Sequence, residues 1–182
     1  MNFIHTDIKD LIYIEPSAYE DSRGFFYESY NKERFDIGIG KGVNFVQDNH
    51  SSSCKNVIRG IHLQKSPHAQ GKLVRVVKGS ILDIAIDLRK DSPSFMQYFS
   101  IELNESNKRQ LWIPEGFGHA FLSLSDDANL VYKTTSFYNK DSEITIAWND
   151  PDLKIKWPID LGDIIISDKD KIGISIKDYI KY

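Results

Sequence analysis

The sequence holds a single cysteine, so no internal disulfide can staple the chain and its stability must come from a buried core. That residue, Cys54, sits in the polar stretch SSSCKN and reads as an exposed loop thiol rather than a tuned nucleophile. Long apolar runs are missing as well. No stretch approaches the length needed to span a bilayer, and the first residues, MNFIHTDIKDL, interleave Asp7, Lys9 and Asp10 with their apolar residues, unlike a signal peptide. The expected location is the reducing cytoplasm, without a membrane partner. An excess of positive charge is also lacking: the formal net charge is -3 with both signs interspersed, so no basic face for a phosphate backbone can be read, and nucleic acid is not an expected partner. Internal repeats, low-complexity tracts and linkers are absent, and at 182 residues, 41% of them hydrophobic, the chain is expected to form one domain spanning residues 1–182.

What is present is a series of short β-rich blocks: KLVRVV (72–77), SILDIAIDL (80–88), QYFSIEL (97–103), QLWIP (110–114), NLVYKTT (129–135) and EITIAW (143–148). Turn signals such as Lys78-Gly79, Asp91-Ser92-Pro93 and Pro114-Glu115-Gly116 separate them, the spacing of an all-β sandwich or barrel. Helix is expected only at 31–38, with Asn31 as cap and Glu33 in the first turn, and in a short piece after Ser175. The glycines at 38, 40 and 42 lack the remainder of a phosphate-loop pattern and read as a loop.

Chemistry-bearing residues crowd the segment 47–64, QDNHSSSCKNVIRGIHLQ, which gathers Asp48, Asn49, His50, Arg59, His62 and Gln64. Taken singly, each histidine reads more readily as a packed or surface imidazole; together they indicate a site. One difficulty stands out. Strict alternation sends Arg59 and His62 to opposite faces of a strand, so both can reach one site only if the strand bulges or begins near Gly60. Lys72 and Asp83 lie in otherwise apolar strands and are either interior polar groups or residues of a solvated face; patterning leaves both readings open. Pro114-Glu115-Gly116-Phe117-Gly118-His119 resembles the second half-motif of the cupin superfamily, P-x-G-x-x-H, which strengthens the expectation of an antiparallel jelly roll. The first half-motif's metal-binding histidine pair has no counterpart, because His62 and His68 are too far apart, so no metal is expected.

The blocks DSRGFFYESY, FVQDNHSSS, RGIHLQ, AQGKLVRVVKG, LDIAIDLRKDSPSF, QLWIPEGFGHAF, YKTTSFYNKDSEITIAWNDP and SDKD, in this order, resemble the dTDP-4-dehydrorhamnose 3,5-epimerase family. The resemblance implies an all-β, cupin-like jelly-roll barrel with a few short helices, usually a homodimer, acting on a dTDP-linked 4-keto-6-deoxyhexose without a cofactor. It implies His62 as general base, Asp170 as its orienting carboxylate, Tyr132 as general acid and Lys72 as the oxyanion's partner. Arg23 and Arg59 match positions that hold the diphosphate. Phe26, Glu28, Tyr138 and Glu143 match thymidine-binding positions, with Tyr138 stacking on the base, and Gln47, Asp48, Asn49, His119 and Lys169 match further binding positions. Ile61 and Leu63 around the histidine, and GFGHAF in place of the commoner GFAHGF, depart from the pattern and leave room for a different sugar. Two other readings stand beside this one: a mono-epimerase inverting C3 or C5 alone, and a non-catalytic sugar-nucleotide-binding cupin.

Overall fold

Alternating apolar residues that can bury one face per strand assemble here into two antiparallel sheets packed face to face, an all-β jelly roll, described by a computed structural model for residues 1–181. In chain order the strands are β1 (Asn2–His5), β2 (Ile12–Glu15), β3 (Ala18–Asp21), β4 (Gly24–Tyr27), β5 (Gln47–Ser53), β6 (Val57–Gln64) and β7 (Lys72–Lys78). They continue with β8 (Ser80–Asp87), β9 (Tyr98–Asn104), β10 (Gln110–Ile113), β11 (Phe117–Ser123), β12 (Ala128–Thr134), β13 (Glu143–Thr145) and β14 (Ile165–Ile166). Among the described residues, three short helices, α1 (Lys32–Ile39), α2 (Asp168–Lys171) and α3 (Ile176–Lys181), complete the regular structure together with two single 3-10 turns. The first sheet has the order β1-β2-β10-β7-β12-β5; the second has β13-β6-β11-β8-β9, with β14 added in parallel to β6.

The core between the sheets is built from the inward residues of both, among them Val74, Val76, Ile81, Ala85, Leu111, Phe121 and Leu130. Each sheet's outer face is covered in turn. Phe35 of α1 packs with Ile12, Ile14, Leu73 and Trp112 on the first sheet, while Leu153 and Ile176 from the C-terminal segment cover Ile61, Ile84 and Ile86 on the second. Strands buried on both faces lose polar alternation, which is why SILDIAID reads as a nearly continuous apolar run. Asn31 caps α1 by accepting from the Arg34 amide at 3.1 Å, and Gly40 closes it in the left-handed conformation. The helix expected at 31–38 runs to Ile39 and takes in Gly38: burial of Phe35, which stabilises by about 1.5–3 kcal/mol, anchors the turn against the sheet despite the glycine. The helix expected after Ser175 is α3; α2 has no counterpart in the sequence reading. Strands β3 and β4 form a hairpin that belongs to neither large sheet.

Candidate active site

The face problem on β6 is solved by a bulge. His119 lies opposite His62 and Phe121 opposite Arg59, so two steps along β11 match three along β6, and Arg59 and His62 come to share the inward face. Only glycine fits at the irregularity. Gly60 has φ +116°, and a Cβ there would lie 2.5 Å from the His119 carbonyl oxygen and 2.7 Å from the Ala120 Cα.

The same glycine links β6 to α2. Its amide donates to Asp170 Oδ2 at 3.2 Å, while Asp170 Oδ1 lies 2.6 Å from His62 Nε2. Ser167 caps α2 by accepting from the Asp170 amide at 3.2 Å, and Gly173 lets the following chain press against Ile146, where a Cβ would meet the Ala147 nitrogen at 2.6 Å. Burial works to raise the Asp170 carboxyl, but the hydrogen bond and charge of His62 and the Gly60 amide outweigh it and hold the group below its ordinary pKa. An ionised carboxylate only accepts, so Nε2 of His62 carries the proton that faces it, and whenever the ring is neutral the lone pair is on Nδ1.

Across the interior stand groups from the first sheet. Lys72 shares its face with Val74 and Val76 and is buried; loss of hydration pushes its ammonium down to about 8, against the opposing pull of Asp83 and Glu143. Tyr132, on β12, packs against the central core, and burial pushes its phenol up, with the Arg59 charge opposing and Glu143 assisting. Asp83 is fully buried on β8, facing inward, and lies 2.9 Å from His119 Nε2. Sequence patterning leaves its face open; the one usable signal is a carboxylate set between apolar residues on both sides, Ile81-Leu82 and Ile84-Ala85-Ile86. Arg59 donates to Ser53 Oγ at 3.1 Å and to the Ser52 carbonyl at 3.0 Å, contacts with no marker in the sequence.

At the rim, Tyr138 donates its hydroxyl to Glu143 at 3.0 Å, and Lys169 pairs with the same carboxylate at 2.5 Å. Burial favours the neutral form of Glu143, yet Lys169 and Tyr138 hold it below its ordinary pKa. Gln47 reaches this rim by accepting from the Tyr138 amide, and its own amide donates to Asn49.

Five of the residues singled out in the sequence, Arg23, Phe26, Glu28, Asp48 and His50, stand elsewhere within one chain. Arg23 is exposed on the β3–β4 turn and pairs with Asp21; Phe26, on the same hairpin, is 72% exposed; and Glu28 holds Arg34 and Asn31 beside α1. Asp48 points away from Gln47 and Asn49 to the outer face of the first sheet, where Lys133 binds it. It lines a cleft of about 340 Å³ with Tyr30, His50, Arg75 and Lys133 that contains neither His62 nor Asp170. Among the described residues, no three His, Cys, Asp or Glu side chains converge as metal ligands, and no helix is long and apolar enough to cross a membrane.

The family model described as dTDP-4-dehydrorhamnose 3,5-epimerase matches residues 5–178. A dTDP-4-dehydrorhamnose 3,5-epimerase of Shigella flexneri is 51% identical over 173 residues, 95% of this chain and 94% of the relative. Among solved structures, the dTDP-4-dehydrorhamnose 3,5-epimerase of Elizabethkingia anophelis superposes with a TM-score of 0.94 at 46% identity, covering 98% of this chain and 97% of its own. The dTDP-6-deoxy-D-glucose-3,5-epimerase of Legionella pneumophila, solved in complex with dTDP-4-keto-L-rhamnose, gives a TM-score of 0.93 at 45% identity, covering 97% and 93%. By sequence and by fold alike, this chain belongs to the dTDP-4-dehydrorhamnose 3,5-epimerase family.

Proposed function

We propose that the chain, working as one domain, epimerises C3 and C5 of dTDP-4-dehydro-6-deoxy-D-glucose to give dTDP-4-dehydro-L-rhamnose. The observation that carries the proposal is the His62–Asp170 pair, 2.6 Å apart, placed in a polar interior that also holds Tyr132 and a buried lysine. A ketone at C4 acidifies the hydrogens on both neighbouring carbons. Nδ1 of His62 takes one of them, and the C–H electron pair moves into the C4 carbonyl to form an enolate. Lys72 stabilises the oxygen charge, an effect of about 3–4 kcal/mol for a typical oxyanion donor. Tyr132, kept protonated by burial, returns a proton from the other face, which inverts the carbon. No electron is gained or lost, so the step calls for no redox cofactor.

Arg59 suits the diphosphate, and Tyr138, Glu143, Lys169, Gln47 and Asn49 suit the nucleoside at the rim. His119 takes its place beside the sugar. Arg23, Phe26 and Glu28 enter through a homodimer in which the β3–β4 hairpin reaches the second copy's site. Tyr19, Phe25 and Phe26 expose apolar surface on a hairpin that no large sheet absorbs, which supports this arrangement. The Asp48 carboxylate, held by Lys133, is left out of the ring chemistry. We place the activity in the reducing cytoplasm, which the lone Cys54 suits.

The test is proton NMR of dTDP-4-keto-6-deoxyglucose with chelator-treated protein in deuterated buffer. Deuterium is expected to replace the protons at both C3 and C5, and His62→Ala is expected to abolish this incorporation so that both proton signals persist. Incorporation at one carbon would make the protein a mono-epimerase; binding without incorporation would make it a nucleotide-sugar-binding cupin.

A further inference from the structure

The loop joining β12 to β13 is held by three glutamines. Gln70 donates to the Ser136 carbonyl at 2.7 Å, and Gln64 donates to the Phe137 carbonyl at 3.2 Å. Gln47 accepts from the Tyr138 amide at 3.1 Å, and Gln64 Oε1 accepts from the Asn139 amide at 2.8 Å. Four successive residues are thus each fixed through a backbone group. Gln64 is the centre of the clamp: it is buried, and its second amide hydrogen goes to the His68 carbonyl at 2.6 Å, which adds the β6–β7 connection to the same unit. No other side chain of its size offers two donors and an acceptor on one planar group. Glutamate would set a carboxylate against two carbonyls, and leucine would leave all three backbone groups unpaired.

The clamp matters because the loop carries an aromatic ring that packing does not hold. Tyr138 is 54% exposed, and its hydroxyl is tethered to Glu143, the residue directly opposite Gln64 in the β6–β13 register. A ring that must offer its face to a planar ligand binds more tightly when its backbone is already ordered, since less freedom is then lost on association. We propose that Gln64, supported by Gln70, is a positioning residue for nucleotide recognition, fixing the 136–139 loop so that Tyr138 presents a preformed stacking face to the base of dTDP. The proposal deepens the reading of Tyr138 given above and rests on it. It also gives β6 a continuous role, because Arg59, His62 and Gln64 would serve phosphate, sugar and base from one strand.

The experiment is a double-mutant cycle on the full chain, read by calorimetric titration with dTDP. Tyr138→Ala is expected to weaken dTDP binding by about 10- to 100-fold, the range of one base–aromatic stack. Gln64→Leu should weaken it roughly tenfold alone but less than about twofold in the Tyr138→Ala background, because residues acting as one unit are not additive. KM should rise while kcat changes little, and the amides of Tyr138 and Asn139 should exchange hydrogen faster. Wild-type dTDP affinity in Gln64→Leu, or an equal loss in both backgrounds, would overturn the clamp while leaving Tyr138's role intact. If Tyr138→Ala binds dTDP as the wild type does, the stacking reading itself fails and the clamp falls with it. Should Gln64→Leu not fold, Gln70→Ala carries the same cycle, with a loss of about threefold expected on the same argument. Equal losses in both backgrounds would then overturn the proposal.

Discussion

Two histidine–aspartate pairs lie side by side in this barrel, with His62 and His119 directly opposite each other on neighbouring strands. Their surroundings differ. The His62 side chain is 29% exposed and its carboxylate comes from α2, a separate helix 108 residues along the chain; the His119 side chain is 8% exposed and Asp83 comes from the adjacent strand. The His62 pair therefore keeps one ring nitrogen open to a ligand and has a carboxylate that also reads the β6 backbone through Gly60. The His119 pair is enclosed, and its carboxylate additionally acts on the buried Lys72. The same two residue types thus suit proton transfer in one place and fixed electrostatics in the other.

The strongest test of that contrast is to remove each imidazole in turn. His62→Ala should lower kcat by about 10²–10⁴-fold, the usual worth of a positioned general base, with dTDP affinity little changed. His119→Ala should fall chiefly in KM, and deuterium exchange at C3 and C5 should persist. Steady-state kinetics beside the exchange measurement separates the two; an equal collapse of exchange in both variants would erase the distinction between the pairs.

Much of the barrel was legible because its strands have apolar inner faces. KLVRVV, SILDIAIDL and NLVYKTT were expected within a residue or so of where β7, β8 and β12 run. Strand β5 was not legible as a strand, for a physical reason: QDNHSSS turns Gln47 and Asn49 towards a polar interior and Asp48 and His50 outward, so no hydrophobic period exists. At the site, alternation alone called for a strand that either bulges or begins near Gly60, and the structure has the bulge, whereas the partnership of His62 with Asp170 came only from resemblance. A four-residue helix has too few turns to show periodicity, and a contact across 108 residues leaves no local trace. The glutamine clamp is still less visible, since its partners are backbone groups.

A subtler way to sharpen the comparison is Asp83→Asn. If Asp83 serves Lys72 rather than donating or accepting a substrate proton, the variant should keep exchange at both carbons and change the pH profile. In its proposed role Lys72, buried and lowered to about 8, must be protonated to stabilise the enolate, so activity should fall as pH rises through that value. Removing the Asp83 charge removes one of the two pulls that oppose desolvation, the other being Glu143. The alkaline limb of kcat/KM should therefore move to lower pH. A limb that stays in place would mean that the Asp83 charge is not felt at Lys72 during the reaction.

The smallest effect on activity is expected where a buried aspartate has no histidine at all. Asp87 accepts from Arg89, Ser92 and Ser94, and Arg89 extends the network to Asp10 and the Lys9 carbonyl, so it ties the β1–β2 turn to the end of β8. Burial opposes ionisation of Asp87, but these donors hold its pKa at about 2, against 3.8 for the unperturbed group. Because the folded-state value is depressed, its stabilisation is fully present above pH 4 and is lost as pH falls through about 2. The shift corresponds to about 2 kcal/mol. Asp87→Asn should therefore lower the melting temperature at pH 7, and the gap from the wild type should narrow as the pH approaches 2. Per folded molecule, kcat should be unchanged. A constant gap across that window would assign the loss to packing rather than to charge, and a fall in kcat would show that this network reaches the site after all.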